Sequence, residues 1–548
     1  MDIELAEIPK TEPPNEATTV PIPEDVDFVE DNVQSRVAKP LWLLIVLTIL
    51  SSTFLFSLDN TIVADVQSPI AEAFGDVNKL SWLGVAFALS SSATIITWGK
   101  LYGIFSARII YLGSIVLFEI GSTVCGAAQN MNVFIAGRAL AGLGGAGMYL
   151  GCLTLLSVTT SVRQRPAYMA LTGITWGSGT VLGPIVGGAF SQNVNMTWRW
   201  AFYINLCIGG MFSPIFVFYL PQGDPQPEAR LKRKLLQIDY LGILLNTGTF
   251  TALIMAINFG GTLYGWGAGQ EIALWVVGGV LLIMFTLQQR FTLGTTEGER
   301  IFPADFLSRP LMWLLFAEMS AAGTCVFIPT YYIPLYCQFV IGDSPLTAAV
   351  RLLPFILLMV CFGLLNGAMM MKFGLYMPWY LLGGILTSIG GGLMSTVDEL
   401  TPISRIYGYC ALIGIGSGLF IQTSFSVAQA KNFRSRGSDA TSFIALAQNL
   451  GIVLSLAISG AIFQNQALEK LEKLLPDYPR EVLQGALMGT NSELLKQIPK
   501  EVQRKVLHAI VDAMSHTYYL VIAAGVMAAV GSLVMKRERI FIQAATIA

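Results

Sequence analysis

The sequence predicts an all-α polytopic membrane protein of about fourteen helices, and three observations carry that prediction. Apolar residues make up 54% of the 548-residue chain and charged residues only 12%, about half the charged share of an ordinary soluble domain, and mean hydropathy is +0.61. The apolar residues gather into runs of bilayer length; at ~20 residues per crossing, fourteen crossings need ~280 residues, which the composition can supply. Lys and Arg are also split by side. With the N-terminus in the cytosol, the cytosolic segments hold 21 of them, and the short outer loops hold only Lys79, Arg199 and Arg405. That bias predicts both termini inside and an even number of spans.

The same composition argues against a soluble enzyme and a disordered chain. A net charge of −2 leaves no basic footprint for nucleic acid. The seven cysteines lie mostly inside apolar runs, with neither a disulfide framework nor metal-ligand spacing, and read as small core residues. No phosphate loop, metal cluster or nucleophile motif marks an enzyme.

Residues 1–40 form an acidic tail with ten Asp/Glu between Asp2 and Asp31 and with Pro13, Pro14, Pro21 and Pro23. Lacking a basic start followed by a short apolar core, it is no secretory signal, and we read it as disordered and cytosolic. Helices follow near 41–66, 80–98, 109–128, 133–156, 168–190, 201–220, 239–258, 272–289, 311–336, 346–369, 378–396, 404–427, 440–463 and 516–536. The long outer segment 464–515 places Leu468, Leu471, Leu474, Leu475, Val502, Val506 and Ile510 at helical spacing, which predicts amphipathic helices lying on the outer face. Residues 537–548 are a second cytosolic tail.

Ionisable side chains inside spans cost roughly 2.5–3.5 kcal/mol each on insertion scales, so each needs a reason. They are Asp59, Asp65, Glu119, Arg138, Glu318 and Arg351. At ~1.5 Å per residue, Asp59 lies ~27 Å from the inner edge and Arg138 also falls in the outer third, so the two share a depth and can pair. The pair is either a coupling device that breaks when Asp59 gains a proton or a static salt bridge. Glu119, near mid-membrane, either faces a polar cavity or is held neutral by burial. His508 and His516 sit in or beside the outer segment and read as solvated or interfacial. Glycines crowd the fourth span (Gly137, Gly142, Gly144, Gly145, Gly147, Gly151) and the fifth (Gly177 to Gly188), where they let backbones approach. Pro184 should bend the fifth span in its outer half.

These residues, in order, resemble the major facilitator superfamily, and within it the fungal fourteen-spanner drug:proton antiporters and toxin-efflux pumps. Leu58-Asp59-Asn60-Thr61-Ile62-Val63 is similar to the family's first-span signature, and Arg138 with Gly142 and Gly144 to its fourth-span motif. Gly183, Pro184, Gly187 and Gly188 resemble the fifth-span antiporter motif. Glu119-Ile120-Gly121-Ser122, Trp198 to Asn205, and Tyr332 to Pro354 resemble further stretches of the family. The gating loop between the second and third spans departs from the pattern: it reads Gly99-Lys100-Leu101-Tyr102-Gly103 and on to Arg108, with Gly103 where the family carries an aspartate. Gly367 to Lys372, Gly374 and Pro378 look like a degraded second copy.

The resemblance implies the major facilitator fold: a six-helix bundle over 41–220, linkers with two inserted helices over 221–310, and a second bundle over 311–536. It implies a proton-coupled efflux antiporter that exports a small amphipathic toxin, drug or secondary metabolite. Asp59, Arg138 and Glu119 would handle the proton. No cofactor is expected, the proton gradient being the energy source. A vacuolar transporter of basic amino acids or siderophores is the alternative, and should show more carboxylates in its cavity. Trp176, Gln338, Asn366, Gln422, Gln448 and Asn449 are the candidate cavity residues, with core packing as the competing reading of each. We expect a monomer in the plasma membrane, with the vacuolar membrane as the alternative. Asn195-Met196-Thr197 is a possible glycosylation site on the outer side.

Overall fold

The computed structural model describes residues 38–75, 79, 82–161, 163–191, 196–220, 224–261, 264–432, 437–487 and 499–540. The acidic tail, Asn195, Arg434, Arg436 and residues 541–548 lie outside the described residues, as does the side chain of Asp65. Among those residues the chain is helical, with no strands.

The first bundle is α1 (Lys39–Phe74), α2 (Trp82–Ile104), α3 (Ala107–Ala127), α4 (Met131–Thr159), α5 (Arg165–Ser191) and α6 (Trp200–Phe218). A short α7 (Leu231–Leu236) leads to the inserted pair, α8 (Tyr240–Phe259) and α9 (Gly269–Phe291). The second bundle holds α10 (Pro310–Tyr336), α11 (Pro345–Val350), α12 (Leu353–Phe373), α13 (Met377–Met394), α14 (Ile403–Gly418), α15 (Thr423–Asn432), α16 (Gly437–Leu474), α17 (Arg480–Leu487), α18 (Lys500–Thr517) and α19 (Tyr519–Val534).

Thirteen helical stretches of the described residues are long and apolar enough to cross a membrane. The remaining expected span is α13, 18 residues long, whose apolarity is diluted by Gly383, Gly384, Gly390, Gly391 and Gly392. The tenth span is broken at Arg351-Leu352, between α11 and α12, and the twelfth at 419–422, between α14 and α15.

Glycine sets the close pairings. A Cβ on Gly144 would lie 2.4 Å from the Phe118 backbone nitrogen of α3, and one on Gly179 would lie 2.8 Å from the Phe54 carbonyl of α1. Without a hydrophobic drive between helices in lipid, such backbone approach is what holds α3 to α4 and α1 to α5. The bundles meet pseudo-symmetrically, α2 against α16 and α5 against α12.

The outer segment corrects the expectation of helices lying on the membrane. α16 runs on to Leu474, and α18 packs along it. Leu468, Leu471, Leu475, Val506 and Ile510 are buried against protein. The apolar stripe was legible, but its partner was the chain itself. Both described termini lie at one face of the molecule, called here the tail face. There Ile540 donates its backbone N–H to the Gly374 carbonyl at 2.9 Å, and Lys431 pairs with Glu538 at 2.7 Å. The opposite face is the distal face.

Candidate transport site

Asn130 caps the start of α4, its side chain accepting from Val133 N–H, and Arg138 follows two turns in. Both Asp59 and Arg138 are fully buried, and Arg138 Nη1 donates to Asp59 Oδ2. Arg138 Nε donates to the Leu83 carbonyl at 3.0 Å, and its guanidinium lies over the Phe87 ring, 4.4 Å from the centroid. On the other side, Asn205 Nδ2 donates to Asp59 Oδ1 at 3.0 Å and to Ser122 Oγ at 3.1 Å. Three helices, α1, α4 and α6, therefore meet at one carboxylate, and α2 and α3 join the network through Arg138 and Asn205. Removing one partner of such a buried pair costs about 3–5 kcal/mol, because the other charge is stranded.

Glu119 sits one turn before Ser122 on α3, with its carboxyl against Gly209 of α6. Neither carboxyl oxygen has a hydrogen-bond partner among the described residues, and Glu119 faces α6 rather than a cavity. Glu318, also buried, lies in α10 against Gly531 of α19. Arg351 pairs with Asp343 at the distal rim and donates to Tyr407 Oη at 3.3 Å.

Asn60 and Thr61, beside Asp59 on α1, point the other way, into a cavity of about 670 Å³ between the bundles. The lining comes from the distal halves of α1, α2, α5, α8, α10 and α16. It combines amides and hydroxyls (Asn60, Thr61, Gln67, Thr330, Gln464, Asn465) with the apolar walls of Phe327, Leu352 and Val453, and none of its described side chains is charged. Pro184 lies on this wall.

Below the cavity the centre is filled. Phe56, Tyr149 and Trp176 form an aromatic cluster, with centroids 5.9 Å apart for Phe56 and Tyr149 and 4.9 Å for Tyr149 and Trp176. Tyr149 Oη donates to Gln448 Oε1 across the bundles at 2.7 Å. Only about 30 Å³ of space remains beside Tyr149, Trp176, Gln422 and Gln448. Toward the tail face the bundles close tightly. A Cβ on Gly99 would sit 2.2 Å from Ser442 Cβ, one on Gly103 would sit 3.0 Å from Ser438 Oγ, and one on Gly367 would sit 2.7 Å from the Pro166 carbonyl. The molecule is hollow on the distal side and closed on the tail side.

The structure brings Trp176, Gln422 and Gln448 together at the centre and puts Gln338 in the distal cavity, on a π-helical turn at Cys337–Ile341. Two candidates fall elsewhere. Asn366 is buried and accepts from Thr423 Oγ1 at 3.1 Å inside the second bundle, and Asn449 lines neither space. Gly183 abuts Thr61 of α1, Gly187 is buried, and a Cβ on Gly188 would meet nothing within 4 Å. Lys100 donates to the Gly298 carbonyl at 2.7 Å. Arg108 donates to the Val217 carbonyl of α6, so it ties α3 to α6. Sequence reasoning placed Asn205 and Ser122 only inside stretches that resemble the family and gave them no role, though they complete the Asp59 network, and it did not single out Tyr149, which bridges the bundles. Tyr149 had a signal, as one of only two aromatics, with Phe134, in a glycine-rich helix.

With this geometry in hand, comparison identifies the group. The profile of the Major Facilitator Superfamily matches residues 49–456. The chain belongs to this superfamily, and within it to the fungal toxin-efflux pumps. It is 46% identical to the MFS-type transporter pgmG of Aspergillus terreus, over 94% of this chain and 92% of that one. It is 42% identical to the efflux pump alnA of Emericella nidulans, over 93% and 92%. It is also 42% identical to the phomenoic acid biosynthesis cluster MFS-type transporter of Leptosphaeria maculans, over 92% and 83%. Among solved structures, a double-Trp mutant of XylE superposes with a TM-score of 0.59 at 13% identity, covering 93% of this chain and 99% of that one, a likeness of fold alone. The protein is a multi-pass membrane transporter of the efflux type, handling small molecules.

Proposed function

We propose that the protein is a proton-coupled antiporter that expels an uncharged, amphipathic organic toxin or secondary metabolite from the cytosol. The observation that carries this reading is the 670 Å³ distal cavity, with amides, hydroxyls and aromatic walls and no described charged side chain. Such a lining suits a neutral molecule with scattered oxygen atoms. It offers no counter-charge to a basic amino acid, which disfavours the vacuolar alternative. In this proposal the tail face is cytosolic, the membrane is the plasma membrane, the transporter works as a monomer, and no cofactor is needed beyond the proton gradient. Asp59 is the proton carrier. Ionised, it is paired with Arg138; protonated, it releases the arginine and shifts the balance between two bundle orientations.

The test is growth and dye efflux in a pump-deficient host expressing the full chain, across a panel of uncharged toxins and Nile red, with and without a protonophore. Protection that the protonophore abolishes is expected. Protection that survives the protonophore would remove proton coupling, and none across the panel would remove the efflux reading of this cavity.

A further inference from the structure

The two inserted helices are more than a spacer between bundles. α8 packs along α2 of the first bundle and touches α16 of the second. It is pinned there by the fully buried Asn246, whose Nδ2 donates to the Ala93 carbonyl of α2 at 2.9 Å, and by Phe259, whose ring packs at a tilt against Trp82 with centroids 4.7 Å apart. Its distal end then lines the cavity through Ile254, Ile257 and Asn258.

The turn that follows carries an aromatic side chain into the same space. Gly261 donates its backbone N–H to the Tyr264 carbonyl at 2.7 Å, and Tyr264 donates to the Phe259 carbonyl at 3.0 Å, which ties Tyr264 back to the end of α8. Gly261 has φ +75°, which glycine adopts freely. The indole of Trp266 lies against Gly260 and Gly261, so close that a Cβ on Gly260 would be 2.6 Å from the ring. Beneath it the buried Glu271 accepts from Trp275 Nε1 at 2.8 Å. Trp266 is thus held by backbone, lines the cavity and is still 51% exposed. A half-exposed indole fixed over a neutral cavity offers a stacking face to an aromatic substrate at little cost in ordering.

We infer that α8 and the turn that follows it are a wall of the substrate cavity and that Trp266 is a specificity-determining residue selecting cargo with a planar aromatic part. The inference rests on the cavity being the transport site. Two measurements test it in the full chain. In the pump-deficient host, efflux of Nile red, uncharged and planar, is compared with that of tritiated cycloheximide, uncharged and saturated. Trp266→Ala should lower the Nile red to cycloheximide ratio about fivefold, the loss of one aromatic contact, and Trp266→Phe should restore it. An unchanged ratio, whether both rates hold or both fall together, overturns the specificity role.

The second measurement needs no substrate. With the exposed Cys207 and Cys361 replaced by Ser, Ile257→Cys should react with a water-soluble methanethiosulfonate in detergent micelles at least about tenfold faster than Leu244→Cys on the lipid-facing side of α8. Equal rates would show that α8 does not face water and would overturn the wall. If the parent chain moves neither compound, the proposed function fails at this cavity and the selection role of Trp266 falls with it; the labelling still decides the wall.

Discussion

At the scale of single residues, Asp59 does the most, because burial leaves it little freedom. It accepts from Arg138 and from Asn205 at 3.0 Å. Asp59→Asn mimics the protonated acid and removes a charge from the bilayer, so the variant should insert and fold but lose the pH-driven part of transport. Arg138→Ala should be worse by about 3–5 kcal/mol in stability, because it strands the carboxylate. Efflux from vesicles under an imposed pH gradient, with detergent melting temperatures alongside, checks both, and parental pH dependence in Asp59→Asn would make the pair structural. Outside the membrane, burial raises the Glu399 carboxyl, but the His508 hydrogen bond at 2.7 Å and a backbone bond more than offset it and hold Glu399 below its ordinary value. A depressed carboxyl stabilises the fold above the ordinary carboxylate range, and that contribution is lost as pH falls through the depressed value. With His508 62% exposed the contribution is under about 1 kcal/mol. Acid melting curves should therefore show a small step that Glu399→Gln removes.

At the scale of elements, the tail-side closure is a seam of small residues. Gly99 and Gly103 on α2 face Ser442 and Ser438 on α16, each pair one helical turn apart. An aspartate in place of Gly103 would have complemented the N-terminal dipole of α16, but α16 carries Asp439 in its own first turn. Gly99→Leu should force the seam apart at about 1–3 kcal/mol, the usual range for overpacking. The expected outcome is a tail-open bias: cysteines placed near Ser442 become reactive to water-soluble reagents, and a seam as inert as in the parent would contradict it. The spans themselves were legible because each helix satisfies its backbone alone in lipid and so writes its own apolar run. The breaks at 351–352 and 419–422 were not, because a helix interrupted inside protein keeps the same composition. The Asp59–Arg138 contact was legible through its cost. The role of Asn205 and Ser122, seen only as members of family-like stretches, was not legible, since neutral polar side chains in spans are common. Nothing in the sequence sets Trp266 apart from an ordinary interfacial tryptophan.

At the scale of the whole molecule, the fold holds one state: distal cavity open to its lining, aromatic centre filled, tail face shut. The two bundles make this state with matched contacts, α2 on α16 and α5 on α12, so a rocking motion that opens one side must separate both seams together. The inserted pair keeps the second bundle in the same orientation as the first, because two added crossings restore the starting side, and its α8 packs against α2.

The tail-side seam has one further consequence. Gly99, Gly103, Ser438 and Ser442 meet through van der Waals contact, and dispersion has no counter-ion atmosphere to screen it. A latch of surface ion pairs loosens as electrolyte rises; the contact among these four residues does not. A change of internal salt would leave the packing of these four residues as it is.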